Sequence, residues 1–197
     1  QRMIWVFVIN NIMATDNFIQ SVKDAAKDKP QSIEWYRNKI REFGKPGGLD
    51  LIRDGKRVNT ASLTNLNMFF YDPKYKKTLP YYDTFPLVLP LRRYNDGFLG
   101  LNFHYLPIPL RIKLLNKIYD LPESNQYDEN ARMRMSYARA QTMPMAKAVM
   151  KRYLYSHLKS QIRVVTPEEW VIATLLPVQR FKKASASRVY NETKKMI

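Results

Sequence analysis

The chain has 197 residues, 45% of them hydrophobic, and it carries 33 Lys and Arg against 17 Asp and Glu, a formal net charge of +16. This length and apolar content are enough to bury a core, which excludes a disordered chain, and the charge predicts an acidic partner such as nucleic acid, a membrane surface or an acidic protein. The absence of cysteine excludes disulfides, thiolate metal sites and cysteine nucleophiles.

The first twelve residues, "QRMIWVFVINNI", contain an apolar run over residues 3–9. That run is too short to span a bilayer, and it lacks the small-residue cleavage pattern of a signal peptide. Because the chain begins with Gln, and because Met13 followed by "ATDNF" resembles a natural start, residues 1–12 are predicted to be an upstream extension. A buried β-strand is the alternative interpretation.

Residues 13–67 are predicted to form an N-terminal helix followed by an extended basic arm. In "SIEWYRNKIREFGKPGG", Ser32 suits an N-cap, apolar residues recur at helical spacing, and Gly44 ends the helix before Pro46. The residues that follow, 47–67, are polar, basic and glycine-containing, which is typical of a linker rather than of a core. We expect this arm to lie on the surface of a partner.

Residues 68–106 are predicted to form an antiparallel β module. Short apolar runs are separated by Asp-Pro, Pro and Asp-Gly breaks, which indicate several short strands. The prolines remove donors from the strand ladder, so these strands should lie at edges or carry bulges. The clearest turn signal is Asp96-Gly97, which predicts a hairpin in which glycine accepts a positive φ and Tyr94 faces Phe98 across the turn.

No residue pattern indicates catalysis. His104 has no H-x-x-x-H, H-x-H or carboxylate cluster beside it, so we predict a hydrogen-bonded structural histidine. Thr166, Pro167 and Glu169 fit a helix capping box, which explains the acidic residues of "PEEW" without chemistry. Phosphate-loop, nucleophile-elbow and Rossmann motifs do not occur in the sequence. The protein is therefore predicted to be non-enzymatic, with no metal, no cofactor and no small-molecule substrate.

Residues 107–197 are predicted to be a helical basic region that packs with the β module as one domain. In "IPLRIKLLNKIYDL", the apolar residues form one stripe and the basic residues, including Arg111, lie outside it. A second helix should begin near Asp128, and a long helix is predicted over residues 143–165. The basic tail, "QRFKKASASRVYNETKKMI", suits either a solvated terminal helix or a docking segment for nucleic acid or an acidic subunit.

The charge of this region is one-sided, since no acidic residue occurs between residues 131 and 167. Solvated helices usually mix signs, so an all-basic surface indicates an anionic partner. On the predicted long helix, the basic residues from 147 to 163 would form a stripe that suits a phosphate backbone, and Tyr155 beside it would stack on a base or else belong to the core. The predicted nucleic-acid-binding residues are Arg132, Arg134, Arg139, Lys147, Lys151, Arg152, Lys159, Arg163 and Tyr155.

Four segments carry a resemblance to a known family: "FFYDPKYKKTLPYYDTFPLVLPL", "YNDGFLGLNFHYLP", "KRYLYSHLKSQIRVVTPEEWVIATLLPVQRF" and the closing "YNETKKMI". Together they resemble the DNA end protector, or head-completion, proteins of T-even-type contractile-tailed phages, over roughly residues 32–197. The resemblance implies a virion protein of the head-to-tail region, present in few copies, that shields the packaged DNA terminus from host exonuclease. It also implies portal, neck or other virion proteins as partners, and the host cytoplasm as the place of assembly.

We therefore expect an α+β protein with a small proline-rich antiparallel sheet in the middle of the chain, flanked by helices, and a predominantly helical C-terminal half. Its predicted function is to bind the end of packaged double-stranded DNA without catalysis, through phosphate contacts that read no sequence. The alternative is a structural adaptor of the virion neck or baseplate whose basic surface binds acidic subunits rather than DNA. No membrane association is expected.

Overall fold

The computed structural model describes residues 33–43, 55–63, 65–119 and 142–197, and the single positions 25 and 138. The helices in this part are α1 (Ile33–Phe43), α2 (Ile108–Tyr119), α3 (Pro144–Val149), α4 (Trp170–Leu175) and α5 (Ala186–Lys194). The strands are β1 (Arg57–Val58), β2 (Leu66–Met68), β3 (Tyr82–Asp83), β4 (Leu87–Tyr94), β5 (Gly97–Asn102), β6 (Met150–Leu154), β7 (Ile162–Val165) and β8 (Phe181–Lys182). Short 3-10 turns lie at Phe103–Tyr105, Tyr155–His157 and Pro167–Glu169. The predictions for residues 1–12, for Ser32 and for a helix near Asp128 fall outside the described residues.

A six-stranded antiparallel sheet, in the order β1-β7-β2-β4-β5-β6, forms the centre of the described part. β3 and β8 form a separate antiparallel pair. The predicted α+β class, with an antiparallel sheet flanked by helices, is thereby confirmed. The sheet is larger than predicted, because it takes strands from residues 57–165 and not from 68–106 alone.

The predicted hairpin is confirmed, with Tyr94 of β4 paired to Gly97 of β5 across a two-residue turn. Its glycine has a different role from the one predicted, because Gly97 does not have a positive φ. A Cβ atom at Gly97 would instead lie 1.9 Å from the carbonyl oxygen of Tyr153. Glycine is therefore needed here because the backbone of β6 approaches closely.

Residue pairing within this hairpin agrees with the prediction at one point and differs at another. The register shifts between Pro90 and Arg92, which confirms a bulge where proline has no N–H to donate. The predicted contact between Tyr94 and Phe98 across the turn is wrong, because Phe98 pairs with Arg93. Phe98 is fully buried whereas Tyr94 is exposed, so the two rings lie in different environments.

The predicted long helix over residues 143–165 is wrong. α3 ends at Val149, and the chain continues as β6, a 3-10 turn and β7. β6 pairs with β5 over its whole length, and the ring of Tyr153 stacks on that of Phe98 with 5.3 Å between the centroids. Pairing with an available sheet edge and aromatic burial thus outweigh helix propensity. The described C-terminal half is therefore mixed rather than predominantly helical.

The described part of the predicted arm belongs to the sheet. β1 pairs with β7, and β2 lies between β7 and β4 with Leu66–Met68 buried. The side-chain amide of Asn67 donates to the carbonyls of Ser62 and Asn65 at 2.8 and 2.7 Å, which satisfies a buried polar group. The described residues of this segment therefore do not form an extended arm, and a partner surface for the segment stays a prediction.

Two clusters of buried side chains pack against the sheet. The larger one joins β2, β4 and β5 to the helices, and includes Phe85, Leu101 and Leu114. The smaller one is mainly aromatic, and the ring of Phe69 at its centre packs edge-on against those of Phe98 and Tyr153 at 5.8 and 5.3 Å. Such edge-on pairs stabilise beyond the area that they bury.

The predicted helix after the β module is confirmed as α2, and Lys113 and Lys117 of its predicted polar face are exposed, but Arg111 is not. Leu114, on the predicted apolar stripe, is fully buried. Arg111, predicted to lie outside that stripe, is fully buried as well. Its guanidinium donates to the carbonyls of Leu106 and Leu176 at 2.8 and 3.1 Å and to the hydroxyl of Tyr190 at 3.0 Å. A buried cation is tolerated here because its donors are satisfied.

The capping box predicted at Thr166 is not formed. Pro167 opens a 3-10 turn, but the Thr166 side chain makes no capping hydrogen bond. Glu169 accepts a hydrogen bond from Arg163 at 3.0 Å. Glu169 pairs with Arg163 and does not cap the turn, because Arg163 is only 4% exposed and a buried guanidinium needs an anion or several acceptors.

Candidate nucleic-acid interface

The predicted binding residues do not lie on one helix. Arg132, Arg134 and Arg139 are outside the described residues. Lys147 is exposed on α3, Lys151 and Arg152 lie on β6, Lys159 is exposed in the turn before β7, and Arg163 lies in β7. The predicted stripe on a helix is therefore wrong in its geometry, because two strands replace the helix. The structure does place Lys151 and Arg152 side by side.

Arg163 and Tyr155 face inward. A phosphate contact from Arg163 would break its ion pair with Glu169, and breaking a buried pair costs about 3–5 kcal/mol. The ring of Tyr155 packs 5.9 Å from that of Phe98, and its hydroxyl accepts from the amide of Ala61 at 3.3 Å. Tyr155 thus packs against the smaller core, which was the alternative to base stacking. Arg163 and Tyr155 are therefore not among the residues proposed to bind DNA.

A pocket that the sequence did not predict opens beside Lys151. Its volume is about 610 Å³, and it lies between the segment that joins β2 to β3, the 3-10 turn after β5, and β6. The tyrosines that line it are Tyr71, Tyr75, Tyr81, Tyr82, Tyr105 and Tyr153, and we name it the tyrosine pocket. The sequence signal for it is the density of Tyr, Lys and Pro in "YDPKYKKTLPYY", which predicts turns but not a cavity.

Lys151 brings to the tyrosine pocket a cation that forms no ion pair with a carboxylate of the described residues. Its Nζ lies 4.7 Å from the centroid of the Tyr105 ring and donates to the carbonyl of Ala148 at 3.3 Å. Burial lowers the pKa of Lys151. An anion that entered the pocket would therefore stabilise the charged form of this lysine.

Arg152 lies at the rim of the tyrosine pocket. It forms an ion pair with Asp96 in the hairpin turn, and its guanidinium lies 4.3 Å from the centroid of the Tyr94 ring. Arg92 lies over the same ring at 5.2 Å. Arg92 and Arg152 thus place two guanidinium groups over one exposed tyrosine that is not among the residues lining the pocket, a combination that suits contacts with phosphates and bases.

Asp83, which lines the tyrosine pocket, is the centre of a buried polar network. One carboxylate oxygen accepts from the amides of Phe85 and Arg180 at 2.9 and 3.0 Å. Nδ1 of His104 lies 2.9 Å from the other oxygen, which confirms the predicted hydrogen-bonded structural histidine. The side-chain amide of Asn102 donates to the same oxygen at 3.4 Å. The carboxylate is therefore saturated by donors from the protein itself.

Burial and hydrogen bonding together set the charges of Asp83 and His104. Burial raises the pKa of Asp83, but His104 and the two backbone amides outweigh it, so this pKa lies below its ordinary value. Burial lowers the pKa of His104 by more than the Asp83 carboxylate raises it. Near neutral pH, Asp83 is therefore ionised and His104 is neutral, with Nδ1–H donating to the carboxylate.

His104→Gln is expected to flatten the acid dependence of stability. Because the pKa of His104 in the folded chain lies below its ordinary 6.5, the unfolded chain binds a proton below pH 6.5 that the folded chain does not bind. The part of the stability that depends on neutral His104 is therefore fully present above this pH, and it is lost as the pH falls below it. Urea unfolding at several values between about pH 7.5 and 5 measures this slope.

His157→Gln is the matched control, because His157 is the other histidine of the chain. It is half-buried, and its Nδ1 lies 2.8 Å from the carbonyl of Asp72. A slope that flattens in His104→Gln and not in His157→Gln would assign the effect to His104. Carboxyl groups titrate at lower pH, so the chosen window reports on histidine. An equally steep slope in the His104→Gln protein would show that another group carries the effect.

Among the described residues, no group of three or more His, Cys, Asp and Glu side chains is placed to hold a metal ion. None of the helices there has the length and apolar character that crossing a bilayer requires. The fold is α+β, and Lys151 and Arg152 give the tyrosine pocket a cationic lining of the kind that suits a polyanion.

The chain matches a family model over residues 6–195, and it belongs to that family, the phage T4 terminal DNA protecting proteins. The match covers nearly the whole chain and confirms the family resemblance of the four sequence segments. No match was found among curated protein sequences, and none among solved structures. The description of the family supports DNA ends as the target of this protein.

Proposed function

We propose that this protein binds the end of the packaged double-stranded DNA in the head-to-tail region of the virion and shields it from host exonuclease, without catalysis. Membership of the terminal DNA protecting family over residues 6–195 carries this proposal. Protection of an end requires phosphate contacts and a cover for the terminal base pair, and it requires no reaction. The net charge of +16 favours such contacts on electrostatic grounds.

The proposed DNA-binding residues lie in the acid-free stretch of the sequence, residues 131–167. They are Arg132, Arg134, Arg139, Lys147, Lys151, Arg152 and Lys159. Lys147 and Lys159 are exposed, so they suit contacts with phosphates along the duplex. Arg152, on the rim, suits a contact nearer to the end.

The proposed partners besides DNA are portal, neck or other virion proteins, met during assembly in the host cytoplasm. α5 supports a docking surface for such a partner, because it has two unlike faces. Val189 and Thr193 are buried against the protein's own core, whereas Lys194 and Lys195 at its end are exposed. The tail is therefore anchored on one side and solvated on the other.

The test of this function is a comparison of a blunt-ended linear duplex with a covalently closed circle of equal length, over a series of salt concentrations. We expect tighter binding to the linear DNA, with a preference that persists as salt rises, because an end-specific contact is not purely electrostatic. Bound protein should also slow digestion of the linear duplex by an added exonuclease. Equal binding that collapses with salt would contradict the proposal and favour the adaptor of acidic subunits.

The double variant Lys147→Gln, Lys159→Gln should weaken binding to both DNAs. Each phosphate contact that is lost lowers the slope of log K against log salt by about 0.9, so the expected change is about 1.8. The matched control is Lys113→Gln with Lys117→Gln, which removes the same charge from the exposed face of α2. A control that changed the slope as much would remove Lys147 and Lys159 from the proposed site.

A further inference from the structure

The basic surface cannot by itself distinguish an end from the middle of a duplex, because it binds internal phosphates equally well. An end offers two features that internal DNA lacks. A terminal phosphate monoester carries a charge of about −1.5 to −2 near neutral pH, more than an internal diester. A terminal nucleotide also leaves the stack more easily than an internal one, since it has a neighbour on one side only. A site for the end should use both features.

The tyrosine pocket has the size and the fixed walls for one such nucleotide. Its volume of about 610 Å³ lies in the range of pockets that hold small molecules. The loop that forms one wall is held in place by Lys183, whose Nζ donates to the carbonyls of Lys77 and Leu79 at 2.8 and 2.9 Å. The pocket is therefore shaped before any ligand binds.

The pocket shares Tyr71 and Tyr153 with the smaller core, and its other tyrosines lie outside that core. Tyr75 lines the pocket and is 64% exposed, and the Nζ of Lys74 lies 5.4 Å from the centroid of its ring. The rings of Tyr81 and Tyr105 lie 6.0 Å apart between centroids deeper in the same wall. A base stacks on such rings whatever its identity, as an end of variable sequence requires.

The charge of the pocket favours an anion at Lys151. Of the two carboxylates that line the pocket, Asp83 is saturated by donors from the protein, and Asp96 is paired with Arg152. Lys151 is left with the Ala148 carbonyl and the Tyr105 ring as its contacts. A phosphate monoester is the ligand that would complete this arrangement, because it accepts charge-assisted hydrogen bonds.

We propose that the tyrosine pocket takes the frayed terminal nucleotide of the duplex, with its 5′-phosphate on Lys151 and its base on the ring of Tyr75. This inference rests on the proposed end-protecting function and adds the chemical group that is recognised. The terminal nucleotide is covered, the 5′-phosphate marks the end, and no base edge is read. Phosphates along the duplex remain the ligands of the exposed lysines outside the pocket.

Three DNA molecules with the same stem test this proposal by competition binding. The first is a hairpin with one blunt end that carries a 5′-phosphate, the second is the same hairpin with a 5′-hydroxyl, and the third is a closed dumbbell without an end. For the wild-type protein we expect the 5′-phosphate end to bind about tenfold more tightly than the 5′-hydroxyl end, in line with charge-assisted hydrogen bonds. The dumbbell should bind most weakly.

Three variants test which side chains produce the preference for a 5′-phosphate end. Lys151→Met keeps the stem of the side chain over Tyr105 and removes the charge, so the 5′-phosphate and 5′-hydroxyl ends should bind equally. Lys147→Met, four residues earlier and exposed, should weaken binding to all three DNAs and keep their ratios. Tyr75→Ser removes an exposed ring at little cost to folding and should weaken binding to both open ends about fivefold or more, but not binding to the dumbbell.

The outcomes separate the two proposals. Equal binding of the two open ends by the wild-type protein, with the dumbbell weaker, would overturn the 5′-phosphate site and leave end protection standing. Equal binding of all three DNAs would overturn both. A phosphate preference that survives in Lys151→Met would also overturn the site. If Lys151→Met fails to fold, Tyr75→Ser decides, because unchanged binding of that variant to open ends would overturn the pocket.

Discussion

Arg111→Met is expected to lower the free energy of unfolding by about 3–5 kcal/mol, the largest effect of any substitution considered for this fold. The guanidinium is fully buried, and its strongest contacts are with the carbonyls of Leu106 and Leu176 and the hydroxyl of Tyr190. Methionine fills much of the space but leaves these acceptors without donors, at about 1–3 kcal/mol for each one. Urea unfolding at neutral pH measures the change.

The controls for Arg111 separate charge, shape and position. Arg111→Lys keeps the charge but lacks the planar fork of donors, so it should lose much of the same stability. Lys113→Met, on the exposed side of the same helix, should change stability by no more than about 0.5 kcal/mol. A stable Arg111→Met protein would mean that water or a shifted side chain replaces the lost donors.

Gly97→Ala is expected to destabilise the protein by about 2–3 kcal/mol, because a methyl group is placed where there is no room. The new Cβ would lie 1.9 Å from the Tyr153 carbonyl oxygen and 2.9 Å from the Cα of Leu154. Both are backbone atoms of β6, so relief requires the strand to move away from β5. Thermal or urea unfolding should report the loss, and Lys151 and Arg152 should shift with the strand.

Asn95→Ala is the matched control for Gly97, since it alters the same hairpin at an exposed turn position. Its effect should stay within about 0.5 kcal/mol. A Gly97→Ala protein as stable as the wild type would show that β6 moves away from β5 at little cost. In that case the pairing between the two strands contributes little to stability.

Local signals in the sequence predicted much of the fold. The turn chemistry of Asp96-Gly97, the spacing of apolar residues in α1 and α2, and the proline in β4 each act within a few residues, and the structure confirms the hairpin, both helices and the bulge. The prediction of a structural histidine is confirmed for a similar reason. The residues next to His104 in sequence form no ligand pattern, and in the structure one carboxylate, that of Asp83, holds its ring. Signals that are complete within one segment can be interpreted without the rest of the chain.

Several of the failures depend on partners distant in sequence. β6 was predicted as helix because nothing in its own residues shows that β5 offers an open edge. Arg111 was placed outside the core because its acceptors come from other segments, among them Leu176 and Tyr190. The tyrosine pocket draws residues from positions as far apart as Tyr71 and Met196. Composition indicates a polyanion partner, but only the folded chain brings the lining of a site together.

The position of β7 between β1 and β2 has a consequence for the synthesis of this protein. About 95 residues separate β7 from the end of β2, so a ribosome adding roughly 5–20 residues per second produces β7 roughly 5–20 s after its neighbour. During that interval one edge of β2 has no partner, and an unpaired strand edge invites association with other chains. Completion of the sheet must therefore await most of translation, which makes the nascent chain a natural client for chaperones.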